Sequence, residues 1–144
     1  MRRDGYVVDV SVVVKWLVEE ADSPAAARLL EPGVELAAPD LLFAEAVNTL
    51  WSMRRRGDFG DDAYAEAVAA LVEAPLSAPY PMRDLAVSAA RMASDLRHPV
   101  YDCFYLALAE RLQYPVVTAD QRFHDVVRGH PFLGRLILHL RDIG

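Results

Sequence analysis

The chain predicts an α/β fold, a three-layer α/β/α sandwich around a largely parallel central sheet. Short apolar segments rich in β-branched residues recur at 6–10, 34–39, 115–118 and 135–140. Helical patterns separate them, and strands joined through helices pair in parallel with both faces covered. The stretch YDCFYLALAERL (101–112) is apolar on most sides, which suits a helix at the centre of the molecule. A length of 144 residues, 53% of them apolar, suits one domain spanning 1–144 with a sizeable core.

The elements follow in order. YVVDV (6–10) reads as a strand ending at Asp9-Val10, and Ser11 caps a helix to about Val18. In ADSPAAARLLE, Ser23 is placed as N-cap and Pro24 as the first helical residue of a helix over 22–31. VELAAP is a strand stopped by Pro39. Asp40 caps a long helix to about Arg56, and Gly57 ends it. Residues 61–73 form another helix. PLSAPYPM (75–82) is broken by prolines and predicts at best a short edge strand. Arg83 to Arg97 is helical, with Pro99 marking the break before 101–112. PVVT is a strand, ADQRFHDVVRG a helix stopped by Gly129, and RLILHL a last strand.

Bulk properties exclude several classes. No apolar run approaches the roughly 20 residues of a membrane span, so no membrane role is expected. Met1 to Gly5 run straight into the first strand, and no signal peptide is expected. The single cysteine, Cys103, cannot form an internal disulfide, so a cytoplasmic location is expected. Cys103 reads as a core residue, and the scattered His98, His124, His130 and His139 do not suggest zinc. A net charge of −6 disfavours phosphate binding unless several acids are gathered around a cation.

Asp9 raises that possibility. It is a lone acid in a nearly unbroken apolar run, and a buried carboxylate needs a partner, a metal or water. Asp9 and Asp120 both follow strand ends, where sites of open parallel sheets form. Asp102 opens the central helix and Glu45 lies one turn into the long one, both near helix N-termini that favour negative charge. Each has a plain alternative as a cap or a solvated helix residue: Glu45, Asn48, Thr49 and Ser52 share one polar stripe. Taken together, four converging acids would repel one another, and a divalent cation would relieve them. Oxygen ligands favour Mg²⁺ or Mn²⁺.

These residues resemble a family. VVDVSVVVKW is similar to the opening of PIN-domain ribonucleases, in particular the VapC toxins of bacterial toxin–antitoxin pairs. APDLLFAEAVNTLW, VYDCFYLALAERL and PVVTADQRF resemble the second, third and fourth motifs of that family. The resemblance spans residues 6 to about 123. It implies a PIN-like fold and an acidic site of Asp9, Glu45, Asp102 and Asp120, with Ser11 and Thr118 supporting it and Asn48 beside it. It further implies metal-dependent cleavage of RNA, a small antitoxin partner of the VapB kind, and a homodimer.

Phosphodiester hydrolysis suits a carboxylate cluster with Mg²⁺ or Mn²⁺. No His or Lys in the motifs is placed as a base, which leaves the activation of water to the metal. Lys15, one turn beyond Ser11, is a candidate phosphate contact, as are Arg54, Arg55 and Arg56, whose alternative is a solvated surface. A receiver-type phosphoacceptor would want an early acidic pair and a late lysine, and a dehalogenase-type phosphatase would want Asp-x-Asp; neither pattern is present. The remaining alternative is an inert PIN-like module that acts only through a protein partner. The early helices (11–18, 22–31) and the helix from Asp40 would offer the antitoxin an apolar groove, with a basic side chain of the partner entering the acidic pocket.

Overall fold

The computed structural model describes residues 5–143. Met1 to Asp4, on which the reading of the chain's start depends, lie outside them. Four short strands, β1 (Gly5–Val8), β2 (Glu35–Ala37), β3 (Val116–Thr118) and β4 (Ile137–His139), form one parallel sheet in the order β2-β1-β3-β4. The helices are α1 (Val10–Leu17), α2 (Ser23–Arg28), α3 (Leu41–Arg55), α4 (Asp61–Val72), α5 (Met82–Leu96), α6 (Val100–Leu112) and α7 (Gln121–Arg128). Single 3₁₀ turns flank β4. Val7, Val8, Val116, Val117 and Ile137 are fully buried. Consecutive strand residues face opposite sides, so burial of both members of a pair means that helices cover both faces. That is the three-layer arrangement the alternating pattern predicts. No helix among the described residues is long and apolar enough to cross a membrane.

The central role of 101–112 holds. Cys103 and every residue from Tyr105 to Ala109 on α6 are buried, and the helix packs on β1, β3 and α5. Local chemistry corrects several boundaries. Asp9, not Ser11, caps α1, accepting the Val10 N–H at 2.8 Å. Ser23 starts α2 rather than capping it. Its hydroxyl donates to the Lys15 carbonyl and accepts from the Glu20 N–H, tying α2 to the end of α1. Asp40 precedes α3 but makes no side-chain capping bond. In the proline-broken segment only Ser77 reaches the sheet, as a single parallel bridge to Ala37 at the β2 edge. The last strand is shortened because Leu133–Leu136 coil into a 3₁₀ turn before β4.

Candidate active site

β1 and β3 are neighbours, with Val8 paired to Val117, so their carboxyl ends open side by side. Asp9 and Thr118 stand there. Asp9 is 3% exposed, and beside the Val10 N–H its partners are two hydroxyls, not a basic group. Thr118 Oγ1 donates to Asp9 Oδ2 at 2.6 Å, and Ser11 Oγ donates to the same oxygen at 2.9 Å. Each hydroxyl also accepts a backbone N–H, Ser11 from Ala119 and Thr118 from Asp120. Their acceptor side is thus engaged, and their protons point to the carboxylate. Burial nevertheless lifts the Asp9 pKa to about 6, helped by the charge of Asp102 and opposed by these hydrogen bonds.

Glu45 and Asp102 share this region. Burial raises the Glu45 pKa, and the charge of Asp102 adds to it. Tyr105, fully buried on α6, donates its hydroxyl to Glu45 Oε1 at 2.6 Å. Its own pKa is driven up by burial and then by Asp9, Glu45 and Asp102, so its proton stays in place. His98 Nε2 lies 2.6 Å from Asp102 Oδ2, with its ring stacked on Phe123 at 5.3 Å between centroids. The Phe123 N–H in turn donates to Asp120 Oδ1.

Asp120 is placed differently from the other three acids. It is exposed, and its carboxylate caps α7. It joins the group through the Thr118 hydroxyl, which takes its N–H and donates to Asp9. As placed, no three Asp, Glu, His or Cys side chains among the described residues stand close enough together to hold a metal ion. The donor chemistry still fits a hard divalent cation. The group is all oxygen, and Asp102 pushes the pKa of both Asp9 and Glu45 upward, a repulsion that a cation removes.

Lys15 lines a cleft with Val10, Ser11 and Ala119 but bonds to none of the site acids. Its ammonium donates to the Ala21 carbonyl at 2.7 Å and pairs with Glu20, so it is occupied within the α1–α2 turn. Arg54 pairs with Asp61, and Arg56 with Asp58, both at the surface. Asn48 is exposed one turn beyond Glu45, with no side-chain hydrogen bond among the described residues. His98 and Tyr105 are the site residues that sequence reasoning passed over. Tyr105 left a signal: a phenol in a buried helix needs a hydrogen-bond partner.

The arrangement of strand-end acids and supporting hydroxyls can be set beside known proteins. The family model for the PIN domain matches residues 6–129. This chain belongs to the PIN-domain family. Ribonuclease VapC3 of Pyrobaculum aerophilum is 32% identical over 124 residues, covering 81% of this chain and 89% of that protein. Among solved structures, a Pyrobaculum aerophilum protein superposes with a TM-score of 0.63 at 19% identity, over 95% of this chain and 90% of the other. A toxin–antitoxin complex from Klebsiella pneumoniae gives 0.63 at 11% identity, over 94% and 97%. VapC20 of Mycobacterium tuberculosis, described as a toxin cleaving the sarcin–ricin loop, gives 0.63 at 17% identity, over 83% and 93%. These structural likenesses carry the PIN fold.

Proposed function

We propose that this PIN-domain protein is a divalent-metal-dependent endoribonuclease, the toxin of a type II toxin–antitoxin pair. A buried aspartate at the end of a central strand, held by two hydroxyls and raised in pKa by the charge of Asp102, which also acts on Glu45, supports this reading most directly. Asp9, Glu45 and Asp102 would hold Mg²⁺ or Mn²⁺, with Asp120 contributing from the exposed rim. When bound, the cation supplies Lewis-acid activation of water and neutralises charge on the phosphate. The chain's own residues set the geometry. Ser11 and Thr118 fix the direction of the Asp9 carboxylate, Tyr105 fixes Glu45, and His98 fixes Asp102.

The partner proposal has a surface to act on. An open groove of about 440 Å³ lies between the end of α1 and α4, lined by Trp16, Leu17, Phe59, Ala63 and Ala67 among others. The sequence places the groove on α1, α2 and α3; a smaller cleft of about 300 Å³ does lie between α1 and α2, and the α1–α4 groove is a second, larger candidate. An antitoxin helix with an apolar face suits such a groove, and a basic side chain beside it suits the acids.

The test is RNA cleavage by purified protein with Mg²⁺ or Mn²⁺, with and without EDTA, beside Asp9→Asn protein prepared identically. The expected result is cleavage that EDTA and Asp9→Asn each abolish. Undiminished cleavage in EDTA would overturn metal dependence. No cleavage by the wild type in either metal would favour the inert binding module.

A further inference from the structure

Tyr101 is 61% exposed although it immediately precedes Asp102 in the first turn of α6. It forms one wall of an open cleft of about 380 Å³. The facing wall is α3, through Leu41, Ala44, Glu45 and Asn48. These four share one helix face, by the i, i+3, i+4, i+7 spacing. Glu45 lines this cleft and is in electrostatic contact with Asp102, so the cleft adjoins the acid group.

The lining decides what can occupy the cleft. No lysine or arginine lines it, and Glu45 adds negative charge, so a phosphate is disfavoured. Leu41, Ala44 and the Tyr101 ring offer apolar surface. Asn48 offers a donor and an acceptor, neither used by a side-chain hydrogen bond among the described residues. A flat, uncharged group with a hydrogen-bonding edge matches this set, and unstacked RNA bases are held in this way, by stacking on an aromatic ring and by bonding at their edges.

We infer that the Tyr101–Asn48 cleft is a nucleobase subsite, holding one unstacked base of the RNA beside the scissile phosphate. The inference rests on the nuclease reading of the adjoining acids. Tyr101 supplies the stacking face and Asn48 reads the base edge, so this cleft contributes to choice of cleavage position.

Binding is measured in the Asp9→Asn background, to prevent turnover, with Mg²⁺ present. The probes are hexaribonucleotides carrying the fluorescent base 2-aminopurine at successive positions. Expected is quenching at one favoured position, with affinity reduced about tenfold or more by Tyr101→Ala and preserved by Tyr101→Trp. With Asp9 intact, Tyr101→Ala should raise KM for a cleaved RNA and leave kcat near the wild-type value, while Asn48→Ala should blur base preference at one position. Unchanged affinity, quenching and KM in Tyr101→Ala would overturn the subsite while leaving metal-dependent cleavage, and so the nuclease reading, standing. Loss of antitoxin capture in Tyr101→Ala with RNA binding intact would also overturn it, assigning the cleft to the protein partner. Absence of metal-dependent cleavage in the wild type would instead remove the nuclease reading, and the quenching experiment would still decide whether the cleft takes a base.

Discussion

Asp9 is held by donors that suit a charge in a place that disfavours one. The Ser11 and Thr118 hydroxyls each accept a backbone N–H, so their protons go to the carboxylate. Removing one should be felt at once. Thr118→Val keeps the shape, deletes a donor to Asp9 and strands the Asp120 N–H. We expect a loss of about 1–3 kcal/mol in urea denaturation. The Asp9 pKa should also rise above about 6, because this bond is the strongest influence lowering it, and carboxyl NMR titration would show the change. The pH dependence has a definite sign. Asp9 titrates at about 6 when folded against an ordinary 3.8, so the folded chain binds more protons between these values. Its contribution to stability is therefore greatest below about pH 4 and is lost as pH rises to about 6, by about 3 kcal/mol. Glu45, also raised, adds in the same direction. Denaturation in EDTA across pH 4 to 7 should show the decline, and Asp9→Asn should flatten it. A stability that climbs across this window would contradict the buried-charge account. Asp9 was conspicuous in the sequence because its neighbours are apolar. The orientation of its hydroxyl partners was hidden there, since it depends on backbone N–H groups more than 100 residues away from Ser11.

At the scale of elements, the sheet brings the site together through very short strands. β1 lies between β2 and β3, so what disturbs its spacing moves Asp9. Gly5 sits where a Cβ would come within 2.7 Å of both the Glu35 carbonyl and the Tyr114 ring. Gly5→Ala should cost about 1–3 kcal/mol by overpacking and reduce the rise in melting temperature that Mg²⁺ or Mn²⁺ produces. Gly129→Ala is the comparison: a Cβ there meets only ordinary contacts, and Tm should stay unchanged or rise slightly. Equal loss in both variants would show that close approach at β1 is not the cause. Strand and helix identities were legible from β-branched runs and from proline and glycine punctuation. The α5–α6 junction was less so. Pro99 marked a break, which separated His98 from Asp102 in the reading. In the fold, Arg97 takes a left-handed φ of 52°, the turn closes in three residues, and His98 lies against Asp102. The proline that signalled an end to one helix also starts the next, and only the turn geometry shows that the histidine faces the acid.

For the molecule as a whole, a net charge of −6 must be reconciled with the proposed RNA substrate. Arg54, Arg56 and Lys15 are tied to neighbouring acids or carbonyls, and a cation among the acids would supply positive charge at the reacting phosphate itself. The same acids invite a basic partner, and the apolar groove between α1 and α4 lies ready for the remainder of it. On the proposed function, expression of the chain alone should be toxic, and co-expression with its cognate antitoxin should relieve toxicity and yield a co-purifying complex. Ala63 is exposed on the α4 wall of the groove, so Ala63→Glu adds a third carboxylate to Glu19 and Glu66 there without disturbing the core. This variant should keep its RNA cleavage and its toxicity, and should escape the partner, which pull-down and growth rescue would report together. Full rescue of Ala63→Glu by the partner would show that the groove is not its docking surface. Persistence of toxicity in Asp9→Asn would separate toxicity from cleavage, because that variant leaves the α1–α4 groove untouched and removes only the carboxylate on which the proposed chemistry depends.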